Sequence, residues 1–121
     1  MNQTLTDSSE ILHSIQRMET VSQVIVIGKD GFVIESVGGD SSIKVDELGS
    51  SLATAVNGME KVSAGLKLGG LLNIVFEYEN ALLIGLSTKD SVIAVIAEDA
   101  SALGMLRIRL NSLLPQIQQL F

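Results

Sequence analysis

The chain has 121 residues, 46% of them hydrophobic and only 3% aromatic, and its 8 Lys plus Arg against 14 Asp plus Glu give a formal net charge of −6. That length and composition predict one domain with a core of Val, Ile, Leu and Ala, large enough to need no disulfide or metal staple. So few cations provide no basic stripe for nucleic acid or anionic lipid, no apolar run approaches the ~20 residues of a spanning helix, and the lack of Cys excludes thiolate metal sites, thiol nucleophiles and redox pairs.

Residues Met1 to Glu10 show neither a basic start nor an apolar run, so no secretory signal is read there and a cytoplasmic location is expected. Asp7 and Glu10 are placed as a capping box, and Ile11, Ile15 and Met18 then recur at helical spacing to about residue 19. From Val21 to Ile27 the pattern turns β-branched, Gly28 to Gly31 supplies turn chemistry, and Phe32 to Val37 continues as a second strand, so a hairpin is predicted. Gly38 to Ser42 reads as a loop. A long helix follows, with Leu48, Leu52, Val56, Met59, Val62 and Leu66 on one face and Gly69-Gly70 as its stop.

Leu71 to Tyr78, Ala81 to Leu86 and Ser91 to Ala97 read as a three-strand meander, and a last helix from about Ser101 carries Leu103, Leu106, Leu110, Leu113, Leu114 and Ile117, with Pro115 kinking or ending it. The order α-β-β-α-β-β-β-α gives an α+β fold. Val24 to Ile27, Leu82 to Leu86 and Val92 to Ala97 are apolar without a break and belong in the middle of a sheet. The second strand contains Glu35-Ser36 and the third Asn73 and Glu77, which suits edges. Short connections then predict a five-stranded antiparallel sheet of order 2-1-5-4-3 with helices on both faces.

Chemistry-bearing residues are sparse. His13 is the only histidine, which removes any His-pair metal site and fits an ordinary surface position. Glu77 and Glu79 would share one side of a strand, as paired catalytic carboxylates do, but charge that keeps an edge strand soluble explains them as well. Glu98-Asp99 precedes the last helix, where capping accounts for the charge. The segment Gly65 to Gly70 lacks the Lys-Ser or Lys-Thr of a phosphate loop and leads into a strand. No catalytic, cofactor or metal residue is assigned.

The unusual feature is the second helix, which carries Gly49 and Gly58 internally although each costs ~1 kcal/mol relative to Ala. Ser51, Gly58 and Gly65 recur every seven residues and form a line of small side chains beside Ala55 and Val62. Either this line packs on the domain's own sheet, or it meets a partner helix. The third strand, apolar and placed at an edge, favours the second alternative. A self-complementary twofold surface would then comprise Ser51, Ala55, Gly58, Val62, Gly65, Leu71, Asn73, Val75 and Glu77.

The first hairpin from Val24 to Ile34, the helix with Ala53 and Ala55, Gly69 before the third strand, and Ala102 to Arg107 together resemble the roadblock family, which includes dynein light chains and small bacterial and archaeal regulators of Ras-like GTPases. The likeness covers nearly the whole chain. It implies a profilin/longin-like sheet between helices, a homodimer formed through the second helix and third strand, and a scaffold or regulator whose GTPase partner carries the nucleotide chemistry. Arg17, Arg107 and Arg109 match no motif that would make one a catalytic finger and read as surface charges. The rival reading is a small-ligand sensory module of the profilin, PAS or GAF kind.

Overall fold

The computed structural model describes residues 7–39 and 44–121. Its elements are α1 (Ser8–Gln16), β1 (Val21–Gly28), β2 (Val33–Gly38), α2 (Val45–Leu66), β3 (Asn73–Glu77), β4 (Leu82–Ser87), β5 (Ser91–Ala97) and α3 (Leu103–Leu120), the last entered through one 3-10 turn at Ala100–Ala102. The Asp40 to Ser42 part of the expected loop lies outside the described residues. All strand pairs are antiparallel, in the order β2-β1-β5-β4-β3.

The three strands that carry the unbroken apolar runs are indeed the inner ones, because a central strand is covered on both faces. Alternate residues of β1, β4 and β5 feed two cores. Val24, Val26, Ile84, Ile93 and Val95 pack with Ile11, Ile15, Leu106, Leu110 and Ile117 from α1 and α3. On the opposite face Ile25, Ile27, Leu83, Val92 and Ala94 meet Leu52, Ala53 and Val56 of α2.

Two bulges adjust this alternation. Val26 pairs with Glu35 and Ile27 with Val33, so Ile34 is the extra residue of β2. The inserted residue reverses the parity of the strand: Val33 packs on the α2 side, Val37 on the α1/α3 side, and Ile34 is left exposed. At the other bulge Ser22 is the extra residue of β1, and its hydroxyl donates to the Ile96 carbonyl at 3.2 Å.

Several expected boundaries shift for identifiable reasons. Asp7 caps α1 by accepting the Ser9 N–H at 2.8 Å, while the Glu10 half of a capping box is absent among the described residues. The helix ends at Gln16 rather than near residue 19, and Thr20 at φ 70° turns the chain into β1. Lys67, not Gly69, is the left-handed residue that closes α2, with the N–H groups of Lys67 and Leu68 both reaching the Ser63 carbonyl. Pro115 does not end α3, which runs on to Leu120. β3 stops at Glu77, and Tyr78 N–H bonds to the Ala81 carbonyl to make the turn, so Glu79 is not on a strand beside Glu77.

Candidate protein-interaction site

α2 buries apolar side chains against the sheet only along its first half. Gly49 permits this close approach, since a Cβ there would sit 3.0 Å from the Gly31 carbonyl oxygen and 3.1 Å from Val33 Cγ2. Gly85 on β4 gives further room, as its Cβ would stand 3.5 Å from a Leu52 methyl. Leu52, Ala53 and Val56 are buried on this face. Beyond them the apolar stripe expected to be core emerges into solvent, with Met59 48%, Val62 47% and Leu66 63% exposed. Beyond Val56 the buried residue of α2 is polar, Ser63.

The small-residue line faces away from the sheet. Ser51, Gly58 and Gly65 are exposed, and a Cβ on Gly58 or Gly65 would meet no atom within 4 Å. Of the two alternatives for this line, packing on the domain's own sheet is therefore excluded. Gly49 is accounted for inside the domain and Gly58 is not.

The nine residues marked from the sequence fall into two sets. Ser51, Ala55, Gly58, Val62 and Gly65 run along the outer side of α2, and Leu71 packs half-buried against the α2-side core. Asn73, Val75 and Glu77 share the other face of β3, where Val75 packs towards α1 and α3. The two sets are joined by the β3 backbone, whose outer edge has no paired strand among the described residues. The residues of β3 that accompany α2 are Ile74 and Phe76, with Tyr78 just beyond the strand. The period-two alternation of Ile74, Phe76 and Tyr78 against Asn73 and Glu77 carries that signal in the sequence.

Between α2 and β3 lies a cleft of about 180 Å³ lined by Leu48, Ser51, Leu52, Ala55, Phe76, Tyr78 and Leu83. Tyr78 in its lining is 59% exposed, and Leu68 and Leu72 in the segment between α2 and β3 are 68% and 51% exposed. These apolar side chains and the β3 edge, unpaired among the described residues, offer shape and hydrophobicity rather than reactive groups.

The residues with catalytic potential are elsewhere and apart. His13 is exposed on α1 and its Nδ1 is 2.8 Å from the Ser9 carbonyl oxygen one turn back. Asp99 accepts from the Ser101 hydroxyl at 2.8 Å and from its backbone N–H at 2.9 Å, and these two bonds, the hydroxyl first, hold its carboxyl below the usual range. Arg17, Arg107 and Arg109 are exposed. A second cleft of about 230 Å³, where the α1–β1 turn meets the start of α3, includes Thr20, Asp99, Ser101, Met105 and Arg109, and the buried Thr20 hydroxyl has no hydrogen-bond partner there. Among the described residues no group of three or more His, Asp or Glu is placed to hold a metal ion, and no helix is long and apolar enough to cross a membrane.

The whole fold has counterparts among known proteins. Myxococcus xanthus MglB superposes with a TM-score of 0.79 at 19% identity, covering 95% of this chain and 98% of that one. A Roadblock/LC7 domain from Streptomyces avermitilis does so with a TM-score of 0.65 at 20% identity, over 89% and 92% of the two chains. The protein MJ0714 of Methanocaldococcus jannaschii is 24% identical over 111 residues, 92% of this chain and 93% of that protein. The roadblock-type architecture expected from the sequence is thus the one observed. Profilins share it too, so fold alone does not choose between a platform and a ligand module. Residues 7–121 match the family model described as mitogen-activated protein kinase kinase 1 interacting, and the chain belongs to that family.

Proposed function

We propose that two copies of this chain join through α2 and the outer edge of β3, and that the resulting dimer is a non-catalytic cytoplasmic scaffold or regulator that binds a small Ras-like GTPase and modulates its GTP hydrolysis. The nucleotide chemistry then resides in the partner. One observation carries this reading: of the ten exposed large apolar residues among the described residues, six lie on α2 (Met59, Val62, Leu66), between α2 and β3 (Leu68, Leu72) and just past β3 (Tyr78). Exposed apolar residues gathered on neighbouring elements in this way favour an interaction site over ordinary surface. The glycine line supplies close helix approach, and the unpaired β3 edge supplies backbone donors and acceptors for a second sheet. An MglB structure with a tetrameric arrangement is consistent with self-association in this architecture.

Sedimentation at micromolar concentration tests the first half of the proposal. A dimer is expected, and Gly58→Leu is expected to shift it towards monomer, because a bulky side chain on the small-residue line forces the two backbones apart. A wild-type monomer, or a Gly58→Leu dimer of unchanged affinity, removes this geometry. Mixing the purified protein with the Ras-like GTPases of its own organism, and measuring both binding and GTP turnover, tests the second half. Absence of binding to all of them would discard the GTPase partner and leave the self-association untouched.

A further inference from the structure

Past Val56, α2 loses its apolar hold on the sheet. Met59, Val62 and Leu66 are exposed, a Cβ on Gly58 or Gly65 would meet no atom within 4 Å, and Ser63, which is buried, donates its hydroxyl to Met59 O within the helix at 2.8 Å. A polar cluster at one end of the sheet supplies a different attachment. Lys29, in the turn after β1, donates its N–H to the Asp90 carbonyl of the β4–β5 side at 3.0 Å. Its own carbonyl accepts from Asn57 Nδ2 at 2.9 Å, and its ammonium meets Glu60 Oε1, which also accepts from Ser87 Oγ at 3.2 Å. Two hairpin ends and the middle of α2 are tied to a single residue.

We infer that Lys29 and Glu60, assisted by Asn57 and Ser87, are positioning residues that fix the direction of the second half of α2, where apolar contacts with the sheet have ended, and so present the Gly58, Val62 and Gly65 line at the angle a second copy of this chain requires. The inference rests on the self-association reading above. Its physical basis is leverage. From Val56 to Gly65 the helix extends about 14 Å, so a swing of about 10° at Val56 displaces Gly65 by about 2 Å. Close-packed surfaces do not tolerate a displacement of that size. The Lys29 and Glu60 side chains are 21% and 38% exposed, so the pair is only partly open to solvent and is further held by its neighbours' hydrogen bonds.

The experiment compares the dimer dissociation constant, from sedimentation or calorimetric dilution, with the thermal midpoint of the same variants. Lys29→Met and Glu60→Gln are each expected to weaken the dimer about tenfold, and the double variant no further, because one interaction is lost in all three. Lys29→Arg is expected to restore near-native affinity, and Lys89→Met, which removes a neighbouring exposed cation outside the cluster, to leave it unchanged. Asn57→Ala, a smaller perturbation of the same cluster, serves if Lys29→Met fails to fold. Folded variants that lose thermal stability while keeping native dimer affinity would reduce the cluster to a structural role and overturn the inference, as would equal weakening by Lys89→Met. A wild-type protein that never dimerises is a different outcome, which removes the underlying reading and this inference together.

Discussion

Two glycines in one helix separate what the domain needs from what it leaves open. At Gly49 an added methyl would press on the Gly31 backbone carbonyl at 3.0 Å, and a backbone oxygen cannot rotate aside. Gly49→Ala is therefore expected to lose about 1–3 kcal/mol of folding stability. At Gly58 the same methyl enters open space. Gly58→Ala is expected to raise the stability of the monomer by up to about 1 kcal/mol through helix propensity alone. Urea unfolding at protein concentrations low enough to hold the monomer decides this, and similar effects at the two positions would contradict the packing described here. Residues of one type, in one helix, thus carry opposite signs. The sequence reveals their helical spacing but not the Gly31 carbonyl, which approaches Gly49 only once the hairpin and α2 have been brought together.

At the scale of elements, the entry to α3 shows how a local cap is linked to pH. Asp99 has its carboxyl held below the ordinary value, chiefly by the Ser101 hydroxyl and then by the Ser101 N–H, so its ionised form favours the folded state. The associated stability is complete above the unfolded carboxylate value of about 3.9 and is lost as pH falls through the lower folded one. Asp99→Asn is accordingly expected to be less stable than wild type at pH 7, with the gap narrowing as the pH falls below the ordinary carboxylate range, as read by denaturant titrations at neutral and acid pH. A constant gap would show that charge plays no part. The strand order was legible because unbroken apolar runs in β1, β4 and β5 can be buried only at the centre of a sheet. The end of core contact along α2 was not, since Met59, Val62 and Leu66 continue the periodicity of Leu52 and Val56 although the underlying apolar surface has run out. The candidate surface was legible in part. The spacing of the small line and the edge position of β3 can be read from the sequence, but the grouping of Asn73, Val75 and Glu77 with α2 does not match the faces of β3, whose Ile74 and Phe76, with Tyr78 beyond the strand, lie on the α2 side.

For the whole molecule, the sheet has two different margins. On β2 the Ile34 bulge interrupts regular pairing and the strand leads into Gly38 and Gly39, both with positive φ, features that discourage another strand from adding there. On β3 the described ladder is regular from Asn73 to Glu77, and only its inner edge is paired. The β3 margin is therefore the one better suited to a further strand, and the proposed dimer uses it together with the exposed apolar residues of α2. An antiparallel edge pairing centred on Val75, the middle residue of β3, sets Asn73 opposite Glu77 of the second copy, and symmetry repeats the contact. Asn73→Asp then places two like-charge pairs across the junction, each worth about 0.2–1 kcal/mol against association, so several-fold weakening is expected. Asn73→Lys places opposite charges at the same two points and is expected to tighten the dimer. Both effects should shrink as salt rises from about 0.01 M to about 1 M, because screening acts on exposed pairs at this distance. Measuring the dissociation constants of the two variants across that range checks the register as well as the pairing. If Asp and Lys shift affinity in the same direction, or neither responds to salt, β3 does not meet its counterpart in this arrangement.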